Sequence, residues 1–275
     1  MKNSFLTRLI SFVSYTNRLI LAEVILFFVF LIMFSVNPDY IRFVELNSAN
    51  ILSGKYLWTL LTSMFMHQGG LHLFVNMISL FFLGNLTEQI IGRKRFLMVY
   101  LVAGIIGGVL FVLGAWLGSV TGLQSALGGL GDYAAGASGA LFGLLGVLAV
   151  LLPRYRVYLV MGPIIVLILE IILLPFLPAG VSGIFEILFT ILMILSIFAM
   201  FSGNQTFRKL SMPVALSMWV APIVAIVPLV VLSFFVALPI GNTAHFGGLI
   251  AGLAYGIFLR LKYPRKIEVL QRVFR

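Results

Sequence analysis

The sequence predicts an all-α polytopic membrane protein, a bundle of about eight transmembrane helices with the N- and C-termini cytoplasmic. Three observations predict it. Of the 275 residues, 61% are hydrophobic and only 9% are charged. Soluble domains typically carry about 25% charged residues, enough to cover a surface that this chain could not cover. Eight segments match or approach the roughly 20 apolar residues that a helix needs to cross the hydrocarbon layer. They are 19–36, 71–91, 96–120, 137–152, 157–177, 182–201, 214–237 and 241–261. Finally, if the spans alternate from a cytoplasmic N-terminus, sixteen of the eighteen Lys and Arg residues fall on the inner side, as basic residues do in membrane proteins.

Each element follows in order. The basic segment 1–18 leads into the first span, 19–36, which is too long for a secretory h-region and is followed by no small-residue cleavage site. It reads as an uncleaved span. The loop 37–70 opens on "NPD" and contains "KYLWTLLTSMFMHQGG", apolar on one side and rich in Trp, Phe and Met. Such a stretch suits a segment lying in the outer interface. Only Arg42 and Lys55, both in this loop, escape the inner side.

The second and third spans are separated by "GRKR", and "GGLGD" precedes the fourth. Arg154 and Arg156 separate the fourth and fifth, "LPAG" follows the fifth, and Arg208 and Lys209 follow the sixth. The eighth span ends in a basic cytoplasmic tail, 262–275. The formal charge of +10 is then the ordinary consequence of orientation and calls for no nucleic-acid partner. With no cysteine in the chain, disulfides, thiolate metal sites and cysteine nucleophiles are excluded.

Polar groups at membrane depth are the candidates for function. His72 opens the second span and Asn76 follows at i+4, on the same helix face. Ser138 opens the fourth span within "YAAGASGALFGLLG", and His245 lies one turn into the eighth, within "GNTAHFGGLIAGLAYG". All three spans run inward, so these four groups share one level near the outer surface. The fourth span, 16 residues by this reading, covers about 24 Å and falls short of the ~30 Å hydrocarbon layer. Its N-terminus therefore starts below the surface, where a non-helical loop is tolerated only around protein or a wet cavity. Free backbone N–H groups at that helix start suit a developing anion.

Gly139 with Gly143, and Gly248, Gly252 and Gly256, repeat at four and let helix backbones approach closely. Phe142, at i+4 from Ser138, could pack on the His245 ring. Each signal alone is ordinary: a serine among Gly and Ala packs helices, and a membrane histidine can serve a proton relay. The soluble-hydrolase elbow fails, because Ala140 occupies its last glycine position and no strand precedes it. Two histidines and an amide make a poor metal set, so neither metal nor cofactor is expected.

"GASGALFG", "AHFGGLIAG" and "HQGGLHLFVN" together resemble the rhomboid family of intramembrane serine proteases, over roughly Trp58 to Leu152 and Gly241 to Leu261. The resemblance implies a rhomboid-like helical bundle, a six-helix core plus an extra pair. The protease domain would span 19–261, with the extra spans within about 157–237. It implies Ser138 as nucleophile and His245 as general base, a dyad with no acid. It implies that His72, Asn76 and the Ser138 backbone N–H stabilise the oxyanion, and that Gly136, Gly139, Phe142, His67, Glu88, Gly248 and Gly252 support the site. The implied substrates are transmembrane segments of single-pass or other membrane proteins, cut near the outer leaflet of the plasma membrane.

Two departures stand out: Trp58-Thr59 replaces the family's Trp-Arg, and three apolar segments, in place of one, separate Ser138 from His245. An odd number keeps both residues at the same end of their helices. Glu170 and Glu186 lie in those extra segments. The competing readings are a pseudoprotease that binds helices without cutting and a transporter with a polar path.

Overall fold

The computed structural model describes residues 14–234 and 241–274. Residues 1–13 with Lys2 and Arg8, the 235–237 end of the seventh expected span, and Arg275 lie outside them. Helix α1 (Tyr15–Val36) begins after Ser14, whose hydroxyl accepts from the Asn17 amide. Its N-terminus is also capped from outside. Glu88 accepts from the amides of Tyr15 (3.0 Å) and Thr16 (2.8 Å) and from the Thr16 hydroxyl (2.8 Å). A carboxylate there meets both the unpaired amides and the positive end of the helix dipole. The buried side chains of α1 are the polar Thr16 and Glu23, while apolar ones such as Leu21, Ile25, Phe28 and Ile32 are exposed. That is the inverse of a soluble helix and suits a lipid surround.

Helix α2 (Gly70–Ile91) contains a π-helical turn at Leu80–Gly84. The widened turn brings Gly84 against α1, where a Cβ would stand 2.7 Å from the Thr16 methyl. Gly92, at φ +83, breaks the chain into α3 (Arg93–Thr121), which ends at the left-handed Gly122. Helix α4 (Ser138–Leu151) is the central one, with Leu144, Val147, Leu148 and Leu151 fully enclosed. Its C-terminal carbonyl at Leu151 accepts from Gln271 (3.0 Å).

Two features depart from an all-helical chain. Strand β1 (Leu46–Asn47) pairs antiparallel with β2 (Tyr133–Ala134), Leu46 opposite Ala134 and Asn47 opposite Tyr133. The Asn47 side chain donates to the carbonyls of Gly131 (3.1 Å) and Asp132 (3.3 Å). The first long loop is thereby tied to the loop that delivers Ser138. In the first loop Ser63, Met64, Met66 and His67 are buried, while Leu57, Trp58 and Leu61 are exposed. In the Trp58-Thr59 pair, the indole donates to the Phe43 carbonyl (2.9 Å) and the threonine hydroxyl to the Tyr56 carbonyl (2.8 Å).

The second feature lies in residues 155–217, which form a compact unit of their own. Within it β3 (Arg156–Val160) pairs antiparallel with β4 (Pro213–Ser217), and α5 (Met161–Leu173) packs on α6 (Ala179–Ala199). The sequence reading starts spans at 157 and 214, but both stretches are strands. "RVYLV" is β-branched and aromatic, and Pro213 resists a helix interior. Glu170 lies on α5 and Glu186 on α6.

In the other unit, α7 (Ala221–Ser233) packs on α4 and on α8 (Asn242–Lys262), which leads into α9 (Pro264–Val273). Among the described residues, α1, α2, α3, α6 (from Gly180) and α8 are long and apolar enough to cross a membrane. Helices α4, α5 and α7 are shorter; at 1.5 Å per residue, 13 or 14 residues reach only about 20 Å.

Candidate active site

The site is built on the packing of α4, α8 and α3. A Cβ on Gly248 would fall on the Gly139 carbonyl, and one on Gly252 on the Gly143 carbonyl. A Cβ on Gly107 of α3 would stand 2.8 Å from the Ala244 carbonyl. Backbone therefore lies directly on backbone along this seam, the close approach that glycine spacing permits. Gly139, Gly143, Gly248 and Gly252 are the positions of this close approach. Gly107 of α3 belongs to the same seam, while Gly104, one turn earlier, sits against the Met64 side chain of the first loop.

That seam sets Ser138, the first residue of α4, beside His245, in the first turn of α8. Ser138 Oγ and His245 Nε2 are 2.8 Å apart. The Phe142 ring, one turn along α4, stacks on the imidazole with centroids 4.5 Å apart and planes at 26°. His245 Nδ1 is buried and has no hydrogen-bond partner among the described residues. Among the described residues no carboxylate stands at Nδ1 in the way that orients the base in a triad.

Gly136 closes the opposite side. Its φ of +116 is open to glycine, and a Cβ would stand 2.8 Å from Cε1 and 2.9 Å from Nε2 of His72. Its amide donates to the Ser63 carbonyl (2.8 Å), which pins this turn to the first loop. Thus the His72 ring lies against backbone two residues before Ser138. Asn76, one turn further along α2, is buried and donates from Nδ2 to the His72 carbonyl (2.8 Å). That bond fixes the amide orientation, because a flipped amide would set oxygen against oxygen. The second Nδ2 hydrogen remains for another acceptor.

His67 is buried and meets His72 edge to face, centroids 5.1 Å apart at 70°. Burial, with His72 as a neighbour, pushes its imidazole down to about 3, so it stands neutral. Its Nδ1 lies 3.7 Å from Oε2 of Glu23, a residue that sequence reasoning passes over. The signal was present: Glu23 is an ionisable side chain in the middle of the first span. Glu88, matched to a supporting position by the resemblance, caps α1 and lies 3.4 Å from Arg93.

Residues 54–184 match the rhomboid domain. The chain is 37% identical over 59 residues to the putative rhomboid protease YdcA of Bacillus subtilis, covering 22% of this chain and 29% of that protein. It is 33% identical over 98 residues to the rhomboid protease GluP of the same organism, covering 35% of this chain and 19% of that one. It is also 42% identical over 57 residues to the inactive RHOMBOID-like protein 8 of Arabidopsis thaliana, covering 21% and 16%. The chain thus spans less than a third of the length of these relatives. With apolar helices of spanning length around it, and these relatives, residues 54–184 carry a rhomboid domain within a multi-pass membrane protein.

Proposed function

We propose that this chain is an intramembrane serine endopeptidase that cuts transmembrane segments of membrane proteins with a Ser138–His245 dyad. The observation that carries the reading is the 2.8 Å contact between Ser138 Oγ and His245 Nε2 at the N-terminus of a buried helix. A nucleophile needs a base within such reach. Nε2 takes the hydroxyl proton as Oγ attacks the scissile carbonyl carbon. The oxyanion is held by the Asn76 amide, His72 and the Ser138 backbone N–H. Collapse breaks the C–N bond, and the leaving amine takes the proton back from Nε2. Water, activated by the same nitrogen, then hydrolyses the acyl ester and restores the serine.

A substrate helix must unwind first, since its carbonyls are engaged in their own hydrogen bonds. Small or helix-breaking residues near the cut favour that step. We place the protein in the plasma membrane with both termini cytoplasmic and the site near the outer leaflet. The domain is 19–261, no cofactor takes part, and the partners are the substrate helices and the bilayer.

The inactive Arabidopsis relative favours a second reading, in which the chain binds membrane helices without cutting. One experiment separates the two. The purified protein in detergent is mixed with a tagged single-span substrate, beside Ser138→Ala and His245→Ala. Cleavage by the parent that disappears in both variants is the expected result. A folded parent that cuts no substrate in detergent or lipid supports the binder, and cleavage surviving in Ser138→Ala refutes the assignment of the nucleophile.

A further inference from the structure

Glu23 is fully buried in α1, and the proposed hydrolysis does not use it. An acid at that position is expensive unless it is paired or functional. Tyr100 of α3, itself fully enclosed, donates its hydroxyl to Glu23 Oε1 at 2.8 Å. The other oxygen, Oε2, makes no hydrogen bond among the described residues and lies 3.7 Å from His67 Nδ1, with both side chains 0% exposed. His67 in turn meets the His72 ring edge to face, and His72 lies against Gly136, two residues from Ser138. Four contacts in series thus run from α3, through α1 and the loop before α2, to the side of the serine where the oxyanion would form.

A tie between α1 and α3 would account for Tyr100 and one carboxylate oxygen, as interhelical hydrogen bonds do in membranes. It leaves the second oxygen, aimed at His67, without a reason. We infer that Glu23 is a positioning residue that acts through His67 to hold the His72 ring where its nitrogen can serve the oxyanion. A single proton between Glu23 Oε2 and His67 Nδ1 fixes the tautomer of His67, and so the ring His72 rests on. Outer partners of this kind orient the histidines they touch. Neither Glu23 nor Tyr100 touches substrate.

The inference rests on the protease reading, and a double-mutant cycle tests it. The full chain in detergent is assayed for kcat and KM as the parent, Glu23→Ala, His72→Ala and the double variant. We expect Glu23→Ala to lower kcat about 10-fold with KM unchanged, a loss in line with a modest misplacement of a catalytic group. In the His72→Ala background the same change should lower kcat less than about twofold, because residues acting through one group are not additive.

Glu23→Gln keeps both contacts and should recover most of kcat. Should Glu23→Ala fail to fold, Glu23→Met keeps the volume and enters the cycle in its place. Equal losses in both backgrounds, or a change in KM alone, would overturn the inference and leave Glu23 as a helix tie. A parent that does not cut, or a Ser138→Ala variant that does, removes the protease reading itself and this inference with it.

Discussion

Gly136→Ala isolates what the backbone contributes to the proposed oxyanion site. The substitution adds one carbon where φ is +116 and where His72 Cε1 would be 2.8 Å away, while ordinary contact begins at 3.4 Å. The ring must retreat by roughly 0.6 Å or the turn must open. The backbone strain itself is of order 1–3 kcal/mol. A displacement of about 1 Å can lower turnover 10²-fold, and loss of a whole oxyanion donor lowers it about 10²–10³-fold. The expected kcat therefore falls by about 10- to 10³-fold with KM little changed.

The assay is cleavage of a tagged single-span substrate, paired with thermal unfolding followed by the fluorescence of Trp58, Trp116 and Trp219. A lower Tm with a cooperative transition would show that the fold survives its strain. Wild-type kcat in a folded Gly136→Ala protein would refute the placement of His72 at the oxyanion.

Two further predictions concern stability. In Gly252→Ala the new carbon meets the Gly143 carbonyl, and overpacking of this kind typically destabilises by about 1–3 kcal/mol. Tm and kcat should fall together, while Gly183→Ala, where nothing lies within 4 Å, should lower neither; an unchanged Gly252→Ala protein would mean the helix seam is not tight. Glu45, buried in the first loop, has its carboxyl pushed up by burial and partly held back by the Gln68 hydrogen bond. A raised pKa in the folded state means that stability is full below the ordinary carboxylate range and declines as pH rises through the raised value. Glu45→Gln should therefore melt with the parent near about pH 4 and above it near about pH 8. Equal melting at both would refute this.

The readable parts of the site share a cause. Ser138, His245, His72 and Asn76 are polar groups in apolar runs, and such groups mark themselves by their cost. Glu23 marked itself equally, but its partners Tyr100 and His67 stand 77 and 44 residues away, and only the fold names them. The strands at 156–160 and 213–217 were illegible for another reason. An apolar run of five residues fits a strand or the end of a span equally well, and each strand is defined by a partner more than fifty residues distant.

By itself, the sequence determined that the chain is a membrane protein, which residues are out of place in lipid, and which glycines allow helices to touch. These follow from local chemistry: transfer free energy and the absence of a side chain. Only the tertiary structure decided that Ser138 and His245, 107 residues apart, lie 2.8 Å from each other. It also decided that Gly136 leaves room for His72, and that Glu88 caps α1. Those distances depend on how closely separate backbones approach, a property of the packed helices together and of none of them alone.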